Sequence, residues 1–267
     1  MQTVLLQSHF DLHLFASMET PLLMVLRPRT VEGQWVMQDE FQVVPDITIR
    51  EYLDGYGNRC QRLVLQSGTS RIHGSALVRV DARPASNPEA GFLPVQSLPD
   101  EVIRYLLPSR YCESDRLGAK AWDIARNYPP GYPQVQSIAQ WLRDNIDYRP
   151  GQSMELIGAL EVLKQGYGVC RDLAHLGIAL CRSLSIPARF VSGYLEGLNP
   201  MDLHAWFEVW LEGGWYAFDP VQEGLDGGRL VVGAGRDGSD VPIFTQFGPP
   251  VITEDIYFDV RRTSSEE

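Results

Sequence analysis

Apolar and polar residues alternate along the first 81 residues of the chain, and this alternation predicts β-strands. Residues 10–15 and 77–80 follow a period of two, which is typical of strands with one buried face. The glycines and the asparagine at 54–58 can adopt the positive φ angles of a tight turn between such strands. We therefore expect an N-terminal β-rich domain over residues 1–85.

A stretch without periodicity follows at 82–94, with three prolines in thirteen residues. A proline-rich segment of this kind favours a linker, which we place at 86–96. Beyond it the spacing of apolar residues becomes helical. Helices are predicted at four places: 100–107, 135–146, 155–165 and 170–184.

Strand-like alternation returns after Pro187, at 188–194, 204–211 and 215–219. Helices followed by antiparallel strands are typical of an α+β domain, which we expect over residues 97–267. The sequence thus predicts two domains, a β-rich module followed by a core in which helices pack on an antiparallel sheet.

The composition is that of a folded globular protein. The 267 residues are 44% hydrophobic, which is enough to build a core. Asp and Glu number 34 against 23 Lys and Arg, so the formal net charge is −11. Nucleic-acid binding depends on Lys and Arg that neutralise phosphates, so this charge argues against a nucleic acid as partner.

No stretch of about 18 uncharged apolar residues is present, and the N-terminus lacks the cationic and apolar segments of a secretion signal. We therefore expect a cytoplasmic protein without a membrane partner. Its four cysteines show no paired spacing and are interpreted as free thiols: Cys60, Cys112, Cys170 and Cys181.

Cys170 is the cysteine whose surroundings favour chemistry. It opens a predicted helix, where unpaired N–H groups and the helix dipole stabilise a thiolate. Gly168 would let a substrate backbone approach the sulfur. The other three cysteines lack such surroundings, and Cys181, in the apolar body of the same helix, is interpreted as a core residue.

A thiolate enzyme needs a base, and histidine is the natural one. His204 begins a predicted strand, where its side chain can face a cleft. His175 lies five positions after Cys170, about 140° around the helix, and is interpreted as structural. The remaining histidines lie in the N-terminal strands without a cysteine or acidic cluster: His9, His13 and His73.

Asp219 ends the next predicted strand and can orient the base. A plain two-residue turn at the Gly-Gly pair would set Asp219 opposite Glu208, about 13 Å from His204 along the strand. A four-residue loop at 211–214 would set it opposite Trp206, one diagonal step from His204. We therefore predict the longer loop or a bulge.

These segments resemble the bacterial transglutaminase-like family within the transglutaminase-like superfamily. The resemblance rests on Gly-Tyr-Gly-Val-Cys-Arg-Asp-Leu-Ala-His at 166–175, His-Ala-Trp-Phe-Glu-Val-Trp at 204–210 and Phe-Asp-Pro at 218–220, and it covers about 155–222 specifically. It implies a papain-like thiol core with a catalytic triad in this chain order: Cys170, His204 and Asp219.

The sequence contains no metal-binding motif, and we expect neither a metal nor a cofactor. The backbone N–H of Cys170 is one expected donor to an oxyanion, and the second is not identified. Tyr148 and Trp206 are interpreted as packing residues that could line the cleft. Asp172 is interpreted as a residue that caps N–H groups or ties down loops.

We therefore expect a cysteine-dependent acyl-transfer enzyme that acts on a peptide or protein substrate, with water as acceptor in a protease-like or amidase-like reaction. Transfer to an amine, which forms crosslinks, is the first alternative. A non-catalytic peptide-binding module with the same fold is the second. The identity of the substrate and the oligomeric state stay open.

Overall fold

A computed structural model of the chain describes residues 2–151, 156–222 and 227–263. The alternating N-terminal residues form these strands: β1 (Thr3–Ala16), β2 (Thr20–Met24), β3 (Gln34–Val44), β4 (Arg50–Leu53), β5 (Arg59–Leu65) and β6 (Gly68–Asp81). Most of β1 and β6 buries every second residue, as the period-two pattern predicted.

The helices and two short strands follow: α1 (Asp100–Ile103), α2 (Gly118–Ala125), α3 (Tyr132–Asn145), β7 (Asp147–Tyr148), α4 (Ala159–Gln165), β8 (Tyr167–Gly168) and α5 (Cys170–Ser183). The helix predicted at 100–107 is shorter and continues as a 3-10 turn over Arg104–Leu106. The helix predicted at 155–165 is described from Ala159 onward, and its first predicted residue lies outside the described residues. Helix α2 was not predicted, because its buried positions are alanines that give a weak apolar signal.

An antiparallel sheet with the order β11-β10-β9-β12 follows the helices. Its strands are β9 (Ala188–Leu195), β10 (His204–Leu211), β11 (Gly214–Phe218) and β12 (Arg229–Gly235). Helices packed on this sheet confirm the predicted α+β class. We call this sheet the catalytic sheet, since the predicted base begins β10 and the predicted carboxylate directly follows β11.

Helix α5 lies at the centre of this arrangement. Its residues from Asp172 to Arg182 are all buried, because β9, β10 and the helices α2, α3 and α4 surround it. The approach to β10 is close at Gly177, where an added Cβ would lie 2.6 Å from the Phe207 ring. Because α5 is packed against these elements, the position and orientation of its first turn are fixed.

The last two strands, β13 (Phe244–Gln246) and β14 (Val251–Thr263), return to the N-terminal region. They complete sheets with the orders β14-β1-β6-β3 and β13-β2-β5-β4. The prediction of a domain over 97–267 did not foresee this return, which depends on pairing between the two ends of the chain. Buried side chains of the N-terminal strands and of the helices form one contiguous core. The linker at 86–96 stays a prediction.

Candidate active site

Cys170 is the first residue of α5 and is partly exposed, whereas the other three cysteines are buried. Burial raises the pKa of Cys60 to about 11 and that of Cys112 to about 12, so both stay protonated and inert. Cys181 is fully buried in α5, as expected for a core residue. Cys170 is therefore the accessible thiol among the four.

Asp172 holds the N-terminus of α5 in place. Its Oδ2 accepts a hydrogen bond of 3.1 Å from the backbone N–H of Val169, the residue before the helix. Its Oδ1 accepts a bond of 3.2 Å from Arg171. Asp172 is fully buried and satisfied, so its predicted role in capping N–H groups agrees with its contacts.

Gly168 has a different role from the one expected. It is buried, and a Cβ at this position would lie 2.8 Å from Cβ of Asp172. The absent side chain makes room for the capping carboxylate rather than for a substrate. The expectation of a substrate passing over Gly168 was therefore wrong, because the loop folds back onto its own helix.

His204 and Asp219 lie together, as predicted. Nε2 of His204 is 2.7 Å from Oδ2 of Asp219, and both side chains are almost completely buried. The ring of His204 also stacks on Trp206, with 6.2 Å between ring centroids. Asp219 occupies Nε2 of His204, and the negative charge of Cys170 is close enough to raise the pKa of the same ring.

The strand register that brings these residues together was predicted, but the turn was not. Phe207 pairs with Phe218, which sets Asp219 opposite Trp206 when the register is continued by one residue. The four-residue loop is absent, since Leu211 pairs with Gly214 around a two-residue turn. The turn begins one residue earlier than the Gly-Gly pair suggested, because it uses Glu212 and Gly213, with φ +94° at the glycine.

The carboxylate of Asp219 is bound on both oxygens. Oδ1 accepts backbone N–H groups from Val221, at 3.0 Å, and from Gln222, at 3.1 Å. Oδ2 faces His204 and also lies 3.5 Å from Nη2 of Arg229. These partners satisfy a buried charge that would otherwise be costly.

The electrostatics favour a charged pair. Burial opposes the imidazolium form of His204, but the hydrogen bonds and negative charges of Asp219 and Cys170 outweigh it and raise the pKa of His204 to about 9. Burial likewise opposes the carboxylate, yet His204, Arg229 and the backbone donor hold the pKa of Asp219 below its ordinary value. At neutral pH the histidine is therefore protonated beside an ionised carboxylate.

Tyr148 lies on the short strand β7, where it pairs with Gly168 of β8, two residues before Cys170. Burial, followed by the negative charges of Cys170, Asp202 and Asp219, raises the pKa of Tyr148 to about 12. At neutral pH the hydroxyl is therefore protonated, and the residue is 39% exposed. The sequence analysis interpreted Tyr148 as a packing residue that could line the cleft, and the pairing of β7 with β8 brings it near the segment that carries the thiol.

His175 is structural, as expected. It is fully buried, its Nε2 accepts a bond of 2.9 Å from the backbone N–H of Gly238, and its ring stacks on Tyr111. Burial lowers the pKa of His175 to about 3, so it is neutral. The other three histidines lie on β1 and β6 of the N-terminal strands, whereas the thiol lies on α5: His9, His13 and His73.

Arg229 is the residue at this site that the sequence analysis missed. It begins β12, the strand farthest along the chain in the catalytic sheet, and no motif connects it to Asp219.

Across 2–151, 156–222 and 227–263, no group of three or more His, Cys, Asp or Glu side chains is arranged to hold a metal ion. Over the same ranges, no helix is long and apolar enough to cross a membrane.

Comparisons with known proteins identify the family of the chain. The family model of the transglutaminase-like superfamily matches residues 119–220. An uncharacterized protein of Mycobacterium leprae is 30% identical over 230 residues, covering 81% of this chain and 82% of the relative. An uncharacterized protein of Mycobacterium tuberculosis is 35% identical over 143 residues, covering 45% of this chain and 46% of that protein.

The fold has a close counterpart among solved structures. A crystal structure from Cytophaga hutchinsonii, described as that of a candidate cysteine protease, has a TM-score of 0.91 and 30% sequence identity. The match covers 100% of this chain and 93% of the other. The family match, the relative that shares most of its length and this structure agree with one another, and the chain belongs to the transglutaminase-like superfamily.

Proposed function

We propose that this protein is a cysteine-dependent acyl-transfer enzyme that cleaves peptide or amide bonds. In this proposal Cys170 is the nucleophile, His204 the acid and base, and Asp219 the carboxylate that orients the histidine. The observation that carries the proposal is the geometry of His204, whose Nε2 lies 2.7 Å from a buried carboxylate and whose ring is within electrostatic reach of a partly exposed thiol at a helix N-terminus.

The reaction follows from the charges at the site. The thiolate sulfur of Cys170 attacks the carbonyl carbon of the substrate, and the carbonyl electron pair moves to the oxygen. The backbone N–H of Cys170, at the start of α5, can donate to that oxyanion. When the C–N bond breaks, protonated His204 gives its proton to the departing amine, which leaves an acyl thioester on Cys170.

Water is the acceptor that we propose for the thioester. It is present at about 55 M, so an amine must be bound in a site that excludes water before transfer can compete. His204, now neutral, takes a proton from the attacking water, and the acid product leaves as the thiolate re-forms. The Cytophaga hutchinsonii structure, described as that of a candidate cysteine protease, supports this preference.

The proposal is tested by mass spectrometry of the intact protein after mixing with a peptide library, with and without primary amines. We expect an acyl adduct on Cys170 that decays to free acid in water. Cys170→Ala should abolish the adduct, and Cys181→Ala, a change in the same helix, should keep it. Amide products formed with the added amines would instead favour the crosslinking alternative.

The non-catalytic alternative predicts a different behaviour of the thiol. A peptide-binding module would form no adduct, and Cys170 would react with a small alkylating agent only near the pKa of a free thiol, about 8.5. Selective alkylation of Cys170 below about pH 7 would support the enzyme.

A further inference from the structure

Strand β12 connects the N-terminal strands β1–β6, here called the N-terminal module, to the proposed catalytic site. It is an outer strand of the catalytic sheet, with β9 as its paired neighbour. Its first residue, Arg229, places Nη2 3.5 Å from Oδ2 of Asp219. The side chain of Arg229 is only 11% exposed, and its guanidinium lies 6.0 Å from the centre of the Trp206 ring.

Gln34 of the N-terminal module binds β12 two residues beyond Arg229. Its Oε1 accepts a bond of 2.7 Å from the backbone N–H of Val231, and its Nε2 donates at 2.8 Å to the carbonyl of the same residue. Its Nε2 also donates at 2.7 Å to the carbonyl of Arg29 within the module. Gln34 is 2% exposed, so these bonds are buried. One side chain thus takes the place of a neighbouring strand.

Asn58 repeats this arrangement farther along β12. Its Oδ1 accepts from the backbone N–H of Ala234 and its Nδ2 donates to the carbonyl of Ala234, each at 2.9 Å. Nδ2 also donates to Asp54, whose other oxygen accepts two backbone N–H groups of the turn at 54–58. This turn, which the sequence analysis identified only as a reversal of the chain, is therefore a rigid support for β12.

The residue before Arg229 is held by the same module. A Cβ on Gly228 would lie 3.0 to 3.2 Å from the side chains of Val4, Val80 and Leu6. The backbone of Gly228 therefore lies directly against the first sheet. Contacts from the N-terminal module precede and follow Arg229 along the chain.

We infer that the N-terminal module is a positioning element for the catalytic site, in which Gln34, supported by Asn58, holds β12 so that Arg229 stays against Asp219. This inference rests on the proposed function. Arg229 does not touch the reacting atoms. It adds a positive charge beside the carboxylate that orients His204, and so it favours the ionised form of Asp219 and holds that carboxylate in place.

The physical reason is that a buried ion pair weakens when either partner can move away. Chain connectivity does not fix the guanidinium beside Asp219, since Arg229 begins β12 and Asp219 follows β11, at the opposite edge of the sheet. A strand whose outer backbone groups are unsatisfied can fray, and a displaced Arg229 would leave the carboxylate less stabilised. The module prevents this displacement.

The test compares two equal changes in the N-terminal module, Gln34→Met and Gln61→Met. Methionine keeps the approximate volume of glutamine and removes its hydrogen bonds. Gln61 is also fully buried, but its partners lie within the module: the backbone N–H of Leu26, Glu51 and the carbonyl of Arg59. Gln61→Met therefore reports the cost of losing a buried amide away from β12.

The readout is the rate at which iodoacetamide alkylates Cys170 across a pH range from about 5 to 9, located by mass spectrometry. In Gln34→Met and in Arg229→Met we expect the pH at which Cys170 becomes reactive to rise by about half a unit or more. Arg229→Lys keeps the charge and should restore most of the wild-type profile. Gln61→Met should leave the profile unchanged.

A double variant separates positioning from general loosening. If Gln34 acts through Arg229, Gln34→Met combined with Arg229→Met should shift the profile no further than Arg229→Met alone. Additive shifts would overturn the inference. If Gln34→Met does not fold, Gln34→Asn replaces it, because its shorter amide cannot span the same two bonds.

The failures of the two proposals are distinguishable. A wild-type Cys170 that reacts only as an ordinary thiol would contradict the proposed function. A wild-type Cys170 that is reactive at low pH, with Gln34→Met giving the wild-type profile, would keep the proposed function and overturn the positioning role.

Discussion

Asp219 carries more of the proposed site than its place as third member of a triad suggests. Its two oxygens receive two backbone N–H groups, the His204 ring and the charge of Arg229. The carboxylate is therefore fixed in orientation as well as in charge. An orienting group held in this way keeps Nε2 of His204 occupied and leaves Nδ1 for the proposed proton exchange with Cys170.

Asp219→Asn tests this dependence. Loss of the negative charge should lower the pKa of His204 from about 9, and kcat/KM for an amide substrate should fall by about 10²- to 10⁴-fold. An NMR titration of the His204 ring and steady-state kinetics measure the two effects. Asp123→Asn, a change at an exposed aspartate, serves as control. An unchanged ring titration would contradict the assigned role.

The raised pKa of His204 predicts an alkaline limit of activity. The protonated ring persists up to about pH 9, so the proton needed by a departing amine is present below that pH and is lost above it. We expect acylation by amide substrates to decline as the pH rises through about 9. An activated ester, whose leaving group needs no proton, should show a weaker decline. Equal declines for both substrates would count against His204 as the acid.

A packing role and an oxyanion-donor role for Tyr148 predict different effects of mutation. Its hydroxyl is protonated at neutral pH and its strand pairs with the segment that precedes Cys170, so it is a candidate donor to a developing oxyanion. Tyr148→Phe should lower kcat by about tenfold or more with little change in KM. If Tyr148 only packs, kcat should stay at the wild-type value while the melting temperature falls.

At the scale of elements, the site depends on how closely α5 approaches β10. The N-terminus of α5 supplies Cys170 and β10 supplies His204, so the separation of the two elements sets the distance between thiol and base. Gly177 permits that approach, because its missing Cβ leaves space for Phe207. A larger residue there would push the elements apart.

Gly177→Ala should therefore destabilise the fold by about 1–3 kcal/mol, through overpacking against Phe207. Gly118→Ala is a matched control, since Gly118 also lies in a helix but has nothing within 4 Å of an added Cβ. The control should be neutral or stabilise by up to about 1 kcal/mol. Chemical denaturation of both variants gives the comparison, and equal stabilities would contradict the packing argument.

At the scale of the whole molecule, the N-terminal module and the helical region are connected by strand pairing, an ion pair and a common hydrophobic core. Strand β14 pairs with β1 along most of its length, and Arg262 of β14 forms an ion pair of 2.7 Å with Glu196, which follows β9. The hydrophobic core is contiguous across both regions. The two regions therefore stabilise each other.

We expect the chain to unfold in a single cooperative transition. Differential scanning calorimetry should give a calorimetric enthalpy equal to the van't Hoff enthalpy. Two separated transitions would instead support independent domains on either side of the predicted linker at 86–96. The Gln34→Met variant, which loses two bonds between the regions, gives the more sensitive case.

The sequence by itself determined the local features of this protein. Cys170 at a helix start, His204 at a strand start and Asp219 at a strand end follow from short-range periodicity and from residues that begin or end elements. The alternation of β1 and the burial of α5 were readable for the same reason. Each depends on residues that are close together in the sequence, so their conformational preferences can be read from the sequence itself.

The tertiary structure alone decided the contacts between distant segments. The two-residue turn at Glu212 and Gly213 was chosen by the pairing of whole strands rather than by the glycines themselves. Gln34 meets Val231 across 197 positions, and Arg229 reaches Asp219 from the far edge of the sheet. Such contacts leave no periodic signal in the sequence, because they form only when elements that are distant along the chain pack against each other.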